Sequence, residues 1–253
     1  MDSILSINDL TVSVGSKALV NQVSFDVSPH QIVAIAGGSG SGKTTIGLSI
    51  LRLLPSALKI KQGSIVFEGK DLLKLSPAEM RQCRGARIGM VFQEPLSAFD
   101  PLFTIGQQCD EVLVAHTPLS KQGRFKRVLE ILSEVELPDP KRAYECYPHQ
   151  LSGGMRQRAM IAQAIMAGPS LIIADEPTSS LDVTLQVKIM DLFRRLTKKM
   201  SILLIAHDLG MIAHLADEVV ILHQGQLIEK GLVAEVIGQP KHSYTRQLIE
   251  AFQ

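Results

Sequence analysis

Ile32-Val33-Ala34-Ile35-Ala36 runs straight into Gly37-Gly38-Ser39-Gly40-Ser41-Gly42-Lys43-Thr44, and these residues decide the fold. The apolar run predicts a short strand buried on both faces. The stretch after it fits G-x-x-x-x-G-K-[ST] and opens a helical pattern over residues 43–54, which Pro55 ends. Strand before and helix after is the context this motif requires, and a flexible Gly/Ser linker would supply neither. Its glycines let successive backbone N–H groups turn toward one point, and the helix start adds about half a positive charge. Lys43 would bring a full charge to the β- and γ-phosphates of a nucleotide and Thr44 a ligand for Mg2+. The nucleotide-binding set is Gly37, Gly38, Ser39, Gly40, Ser41, Gly42, Lys43, Thr44 and Thr45.

Upstream of this unit, residues 4–14 and 18–27 are β-rich runs around Gly15-Ser16 and predict an antiparallel layer. Downstream, strands are expected at 64–68, 87–92, 171–174, 201–206 and 218–222, with a turn at Gly225 leading into 226–229. Ser76-Pro77-Ala78-Glu79 has the N-cap, first-turn proline and third-position glutamate of a capping box. Between about residues 100 and 167 the β signals stop and helical periodicity takes over, which predicts an inserted helical lobe. A long helix after Asp182 and a short one after Asp208 separate the later strands. Strands alternating with helices imply a parallel sheet wound with crossovers. The fold class is therefore α/β.

Composition narrows the function. Among 253 residues, 45% are hydrophobic and 20% charged, so the chain is globular rather than disordered. Lys and Arg number 26 against 25 Asp and Glu, a net charge of +1, which offers no attraction for a polyanion, and no nucleic-acid partner is expected. Cys83, Cys109 and Cys146 form no C-x-x-C pair and read as reduced, buried small hydrophobes. Spanning a bilayer takes about 20 apolar residues. The longest uncharged stretch, residues 159–174, is broken by Gln163 and by Gly168-Pro169-Ser170. The N-terminal residues carry no basic region before an apolar run, so no signal peptide is expected and the product should stay in the cytoplasm. His116, His149, His214, His223 and His242 have no ligand spacing, and no transition-metal site is expected in this chain.

Two further segments carry chemistry. Leu171-Ile172-Ile173-Ala174-Asp175-Glu176 is an apolar strand ending in adjacent carboxylates. In a parallel sheet such a strand would bring Asp175 to the edge that carries the phosphate loop, to hold Mg2+, with Glu176 as general base toward water; alone, the pair would read as a solvated turn. Leu151-Ser152-Gly153-Gly154-Met155 opens a helix with a serine N-cap and two glycines, a second set of outward N–H groups. One phosphate loop but two anion-binding helix starts suggest two chains sandwiching two nucleotides, with each Ser152, Gly153, Gly154 turn capping the γ-phosphate held by the partner.

With these residues in hand, the sequence resembles the ATP-binding subunits of ABC transporters over nearly its whole length. LSGGM at 151–155 looks like the family signature, LIIADEP at 171–177 like the Walker B segment, SSLD at 179–182 like the D-loop and IAHD at 205–208 like the switch region, while Gln93 matches the Q-loop glutamine. The resemblance implies a P-loop NTPase core with an N-terminal antiparallel β layer and an inserted helical subdomain. It implies a single nucleotide-binding domain, core 1–99 and 168–253 with a subdomain of about 100–167. It further implies ATP and Mg2+ as ligands, His207 and Glu176 as catalytic residues, Gln93 as a Mg2+ contact that reports closure, and Asp182 reaching the opposite subunit or simply capping the helix that follows it.

SGGMRQR at 152–158, QEPLSAFDP at 93–101 and PKHSYTRQL at 240–248 resemble the importer ATPases that serve dipeptides, oligopeptides and nickel. Gly38, where peptide members often carry glutamate, and an end at Gln253 without their cysteine-containing extension tilt the resemblance toward nickel import, with peptide uptake as the alternative. By resemblance the partners are a related second ATPase subunit in a heterodimer, two integral-membrane permeases and an extracytoplasmic solute-binding protein, and the location is peripheral at the cytoplasmic face of the inner membrane. Soluble ABC ATPases of DNA repair or translation carry paired domains or coiled coils that are missing here. A nucleotide sensor without turnover would lack Glu176 or His207. The family usually stacks an aromatic ring on adenine from the first hairpin, and Val14 stands at that position, which implies weak ATP binding.

Overall fold

The computed structural model describes residues 3–179 and 181–251. Strands β1 (Leu5–Val14) and β2 (Lys17–Val27) form a hairpin, and β3 (Ile32–Ala36) leads into helix α1 (Lys43–Ile50). Strands β4 (Leu58–Phe67) and β5 (Lys70–Asp71), helix α2 (Pro77–Cys83) and strand β6 (Ile88–Val91) follow. The helical stretch comprises α3 (Pro95–Ala98), α4 (Ile105–His116), α5 (Lys121–Glu134), α6 (Pro140–Glu145) and α7 (Gly153–Ile165). Then come β7 (Leu171–Asp175), α8 (Val183–Leu196), β8 (Ser201–Ile205), α9 (Leu209–Leu215), the hairpin β9 (Glu218–His223) and β10 (Gln226–Leu232), α10 (Val233–Gly238) and α11 (Ser243–Glu250).

The chain forms two compact units, residues 1–80 with 197–253, and residues 81–196. In the first, β1 pairs antiparallel with both β2 and β4. This is the layer expected from the N-terminal β-rich runs. In the same unit β3 pairs in parallel with β8 and with β9, and β10 returns antiparallel to β9. All five residues of β3 are buried, as are all five of β8, which is why both read as uninterrupted apolar runs. Leu5, Ile7, Leu10, Phe25, Ile35, Ile46 and Ile65 are among the fully buried side chains of this unit's core.

In the second unit β6 and β7 pair in parallel, with Val91 opposite Ala174. Helix α7 is buried nearly all round, from Gln157 through Ala162, and Phe193 of α8 is 1% exposed. Arg158 of α7 donates to the Val135 carbonyl at 2.6 Å and to Glu136 at 3.0 Å, while Arg195 of α8 reaches the other Glu136 oxygen at 2.6 Å. One carboxylate thus ties the end of α5 to two further helices. The Ser76 capping box is reciprocal: the Glu79 N–H donates to Ser76 Oγ at 3.3 Å and the Ser76 N–H to Glu79 Oε2 at 2.8 Å. The Ser76 bonds hold the Glu79 carboxyl below its usual pKa.

Two boundaries differ most from the sequence expectation. Helix α1 stops at Ile50 rather than at residue 54 because Arg52 turns left-handed, φ 52°, and the Arg52 and Leu53 amides donate back to the Ser49 and Leu48 carbonyls at 3.0 and 2.9 Å. The Arg52 guanidinium, bonded to the Leu72 and Leu75 carbonyls at 3.3 and 2.5 Å, holds that turn. Strand β4 starts at Leu58, ahead of the expected residue 64, because it continues past a bulge at Gly63 to pair Ile60 with Val12 and Leu58 with Val14.

Candidate functional site

The sequence-derived site residues divide between the two units, some at strand ends and others, Ser152 and Asp182, at helix starts. In the first unit, the parallel register sets Ile35 opposite Ile205 and Ala36 opposite Ile221. The chain therefore leaves β3 as the phosphate loop at the same edge where it leaves β8 as Ala206-His207-Asp208. Gly37 has φ 150°, and a Cβ there would overlap the Leu222 carbonyl oxygen, so the loop starts hard against the end of β9. Gly42, φ 103°, passes within 2.9 Å of the Leu19 carbonyl when given a Cβ. Both positions exclude a side chain, which is why the loop needs glycine at each end.

Lys43 opens α1 and is only 7% exposed. Its ammonium donates to the Gly37 and Gly38 carbonyls at 2.9 and 3.0 Å, so it bridges the loop from beneath. Thr44 is exposed and Thr45 half-buried, while Ser39 and Gly40 face solvent. Ser41 Oγ is buried with no hydrogen-bond partner. A buried hydroxyl without a partner is uncommon in a folded chain, which sets this loop apart. His207 is exposed at the neighbouring strand end, and Asp208 caps α9 by accepting from the Met211 amide at 3.1 Å.

In the second unit, the pairing of Val91 with Ala174 carries Gln93 and Glu176 out of the sheet side by side, and Gln93 Nε2 donates to Glu176 Oε2 at 2.9 Å. Asp175, the last residue of β7, is 5% exposed, whereas Glu176 is half-exposed. Glu176 takes a left-handed backbone, φ 44°, and its carbonyl accepts from Ser179 N–H at 3.2 Å, so the chain turns sharply off the strand at the carboxylate pair. A non-glycine residue in that region is uncommon and costs about 1–3 kcal/mol, a strain that gathers at functional positions.

Ser152 caps α7, its Oγ accepting from the Met155 amide at 3.4 Å, and both Ser152 and Gly153 are exposed. Gly154 is buried, and a Cβ there would stand 2.9 Å from Leu185 of α8, whose side chain would have to shift. Asp182 accepts from the Leu185 amide at 3.0 Å and so caps α8. Ser180 of the SSLD segment lies outside the described residues.

A family model described as ABC transporter matches residues 20–179, from the first hairpin through the phosphate loop and the signature turn to the carboxylate pair. The chain belongs to the ABC transporter family. The dipeptide transport ATP-binding protein DppD of Bacillus subtilis (strain 168) is 44% identical over 98% of this chain and 76% of its own length. The oligopeptide transport ATP-binding protein OppD of the same organism is 43% identical over 97% of this chain and 71% of its own length. Among solved structures, the dimeric ATP-binding cassette MJ0796 in a post-hydrolysis state with ADP and Pi superposes with a TM-score of 0.80 at 28% identity, covering 90% of this chain and 98% of that one. The architecture is thus that of an ABC ATPase, as the motif order implied.

Sequence reasoning named the members of both clusters but left two features unassigned. The PKHSYTRQL segment served only to mark a subgroup, yet Tyr244 within it reaches the phosphate loop, accepting from the Gly38 N–H at 3.0 Å. The Gln93–Glu176 bond needed the strand register, which no local pattern supplies. Val14 sits at the end of β1 opposite Lys17 and is 38% exposed. From Lys17 the same hairpin runs to Leu19, which lies against Gly42, so an aromatic ring at position 14 would extend from the hairpin that borders the loop. Val14→Tyr is expected to tighten ATP binding by about 5- to 100-fold, the range of base–aromatic stacking. An affinity unchanged in equilibrium titration would show that another side chain already covers the base.

Proposed function

We propose that this chain is the ATP-hydrolysing subunit of an importer that takes up dipeptides or oligopeptides. The observation that carries the hydrolytic reading is the Gln93–Glu176 hydrogen bond at the end of β6 and β7. The bond holds the Glu176 carboxylate beside Gln93 at the strand ends, where it would act as general base toward water attacking a γ-phosphate. In this reading residues 37–45 bind the triphosphate, His207 contacts the γ-phosphate and positions the water, and Glu176 acts as general base.

Thr44, Gln93 and Asp175 offer hydroxyl, carboxamide and carboxylate oxygens, a donor set that suits a hard cation such as Mg2+. Among the described residues no three His, Cys, Asp or Glu gather as a metal cluster. When bound, Mg2+ neutralises phosphate charge and orients the leaving group. Residues 100–167, read as the helical subdomain, and Gln93 would relay closure to permease chains.

The exposed Ser152-Gly153 turn supports a second ATPase subunit, whose nucleotide that turn would cap, with Asp182 reaching across. A related but different companion chain is the expected partner. No helix among the described residues is long and apolar enough to cross a membrane, so translocation in this reading belongs to separate permeases, with a solute-binding protein delivering cargo and this chain peripheral at the cytoplasmic face.

The peptide assignment rests on relatives named for dipeptide and oligopeptide transport over nearly the whole chain. It takes precedence over nickel import, for which Gly38 and the end at Gln253 were the sequence arguments. Gly38 has a local explanation, since a Cβ there would stand 3.0 Å from Tyr244 Oη. Uptake of a labelled dipeptide and of radioactive nickel should be measured in cells carrying wild type or Glu176→Gln. Loss of dipeptide uptake alone is expected; loss of nickel uptake alone would reverse the cargo assignment. Robust, cooperative turnover by the purified chain without a companion would argue against the obligate heterodimer.

A further inference from the structure

Tyr244 on α11 lies 206 residues beyond Gly38, yet its hydroxyl oxygen accepts from the Gly38 N–H at 3.0 Å. Several attachments hold the half-buried phenol there. Its ring lies on the His223 imidazole at the end of β9, centroids 3.8 Å apart and tilted 34°. Its N–H donates to His242 Nδ1 at 3.1 Å. On β10 the Glu229 carboxylate accepts from the Lys241 and His242 amides at 2.9 and 3.0 Å, fixing the turn that enters α11. Burial works to raise the pKa of that carboxyl, but the amides and the Lys241 charge outweigh it and hold it below its usual range. The neighbouring Leu222 carbonyl meanwhile abuts Gly37, so the end of β9 supports both the loop and the residue that reaches it.

Building on the ATPase reading, we infer that Tyr244 is a positioning residue for the phosphate loop, its hydroxyl fixing the Gly38 peptide ready for the nucleotide. The need arises from composition. Gly37, Gly38 and Gly40 leave this stretch with more backbone freedom than any other residue type would, and that freedom has to be given up when phosphate binds. Gly38 is held through both of its peptide groups, its N–H by Tyr244 and its carbonyl by Lys43 at 3.0 Å. In this inference Lys43 leaves that carbonyl to reach a phosphate, while Tyr244 keeps its hold. A Cβ at position 38 would stand 3.0 Å from that hydroxyl, so the phenol would have to give by a few tenths of an ångström.

The discriminating variant is Tyr244→Phe, which keeps the ring on His223 and deletes only the hydroxyl. On the full chain, calorimetric titration with MgATP is expected to show a Kd about three- to tenfold higher, the effect of one net hydrogen bond. In the assembled transporter KM should rise by the same factor with kcat within twofold. A role limited to ring packing predicts the opposite ranking, Tyr244→Phe equal to wild type and Tyr244→Ala impaired. Gly38→Ala provides a second measurement, since its methyl would press on the hydroxyl and should weaken binding more in the wild type than in the Tyr244→Phe background. Equal effects in the two backgrounds, or a Tyr244→Phe Kd within twofold of wild type, would overturn the assignment. A wild-type chain that binds no MgATP would instead overturn the ATPase reading beneath it, so the two failures are separable.

Discussion

Replacing Glu176 with glutamine should leave ATP binding intact and slow hydrolysis by about 10²- to 10⁴-fold, the contribution of a general base. The substitution is nearly isosteric. Its amide oxygen can still accept from Gln93 Nε2, which now donates to Glu176 Oε2 at 2.9 Å, so the pairing at the end of β6 and β7 has a replacement. The left-handed turn at this residue, φ 44°, depends on backbone and on the Ser179 amide rather than on the carboxylate charge. What disappears is the ability to take a proton from water, so the deficit should fall on kcat and leave the Kd for MgATP within a few-fold. His207→Ala should likewise slow hydrolysis, because it removes the proposed water contact. Single-turnover hydrolysis in the assembled transporter provides the test, and normal turnover by Glu176→Gln would remove Glu176 from the role of base.

The parts of this site that were legible in the sequence are those whose geometry is local. A buried strand, a glycine loop and a helix are contiguous in residues 32–50, so composition alone ordered them, and Asp175-Glu176 ended an apolar run that could only be a buried strand. Ser152 and Asp182 announced themselves as caps because capping acts within a few residues of the helix start. Where tertiary contacts decide, the pattern was silent. The end of α1 depends on Arg52 finding the Leu72 and Leu75 carbonyls, and the first half of β4 is a strand because β1 lies beside it, despite exposed Lys59 and Lys61. Tyr244 meets Gly38 from the far end of the chain, and no periodicity encodes such a distance. That contact also changes what Gly38 means: in sequence it hinted at cargo, while in the fold it makes room for a hydroxyl.

Lys43→Ala carries the other large expectation. An ammonium that makes two charge-assisted hydrogen bonds to phosphate contributes about 1.5–3 kcal/mol for each, so its loss should weaken MgATP binding by about 10²- to 10⁴-fold. In the structure the same group serves the loop, donating to the Gly37 and Gly38 carbonyls. Its removal deprives both carbonyls of that donor but also relieves the cost of a cation that is 7% exposed, and these effects oppose each other. The ligand-free melting temperature should therefore move little, while the stabilisation that ATP gives should vanish. At a hundred times Kd that stabilisation is about 2.7 kcal/mol, or about 5–10 °C in a chain of this size. A thermal-shift titration separates the two effects: an ATP-dependent rise retained by Lys43→Ala would show that the loop amides alone hold the triphosphate. Lys43→Arg should fare scarcely better, since a planar guanidinium cannot replace a compact ammonium beneath carbonyls that approach to 2.9 and 3.0 Å.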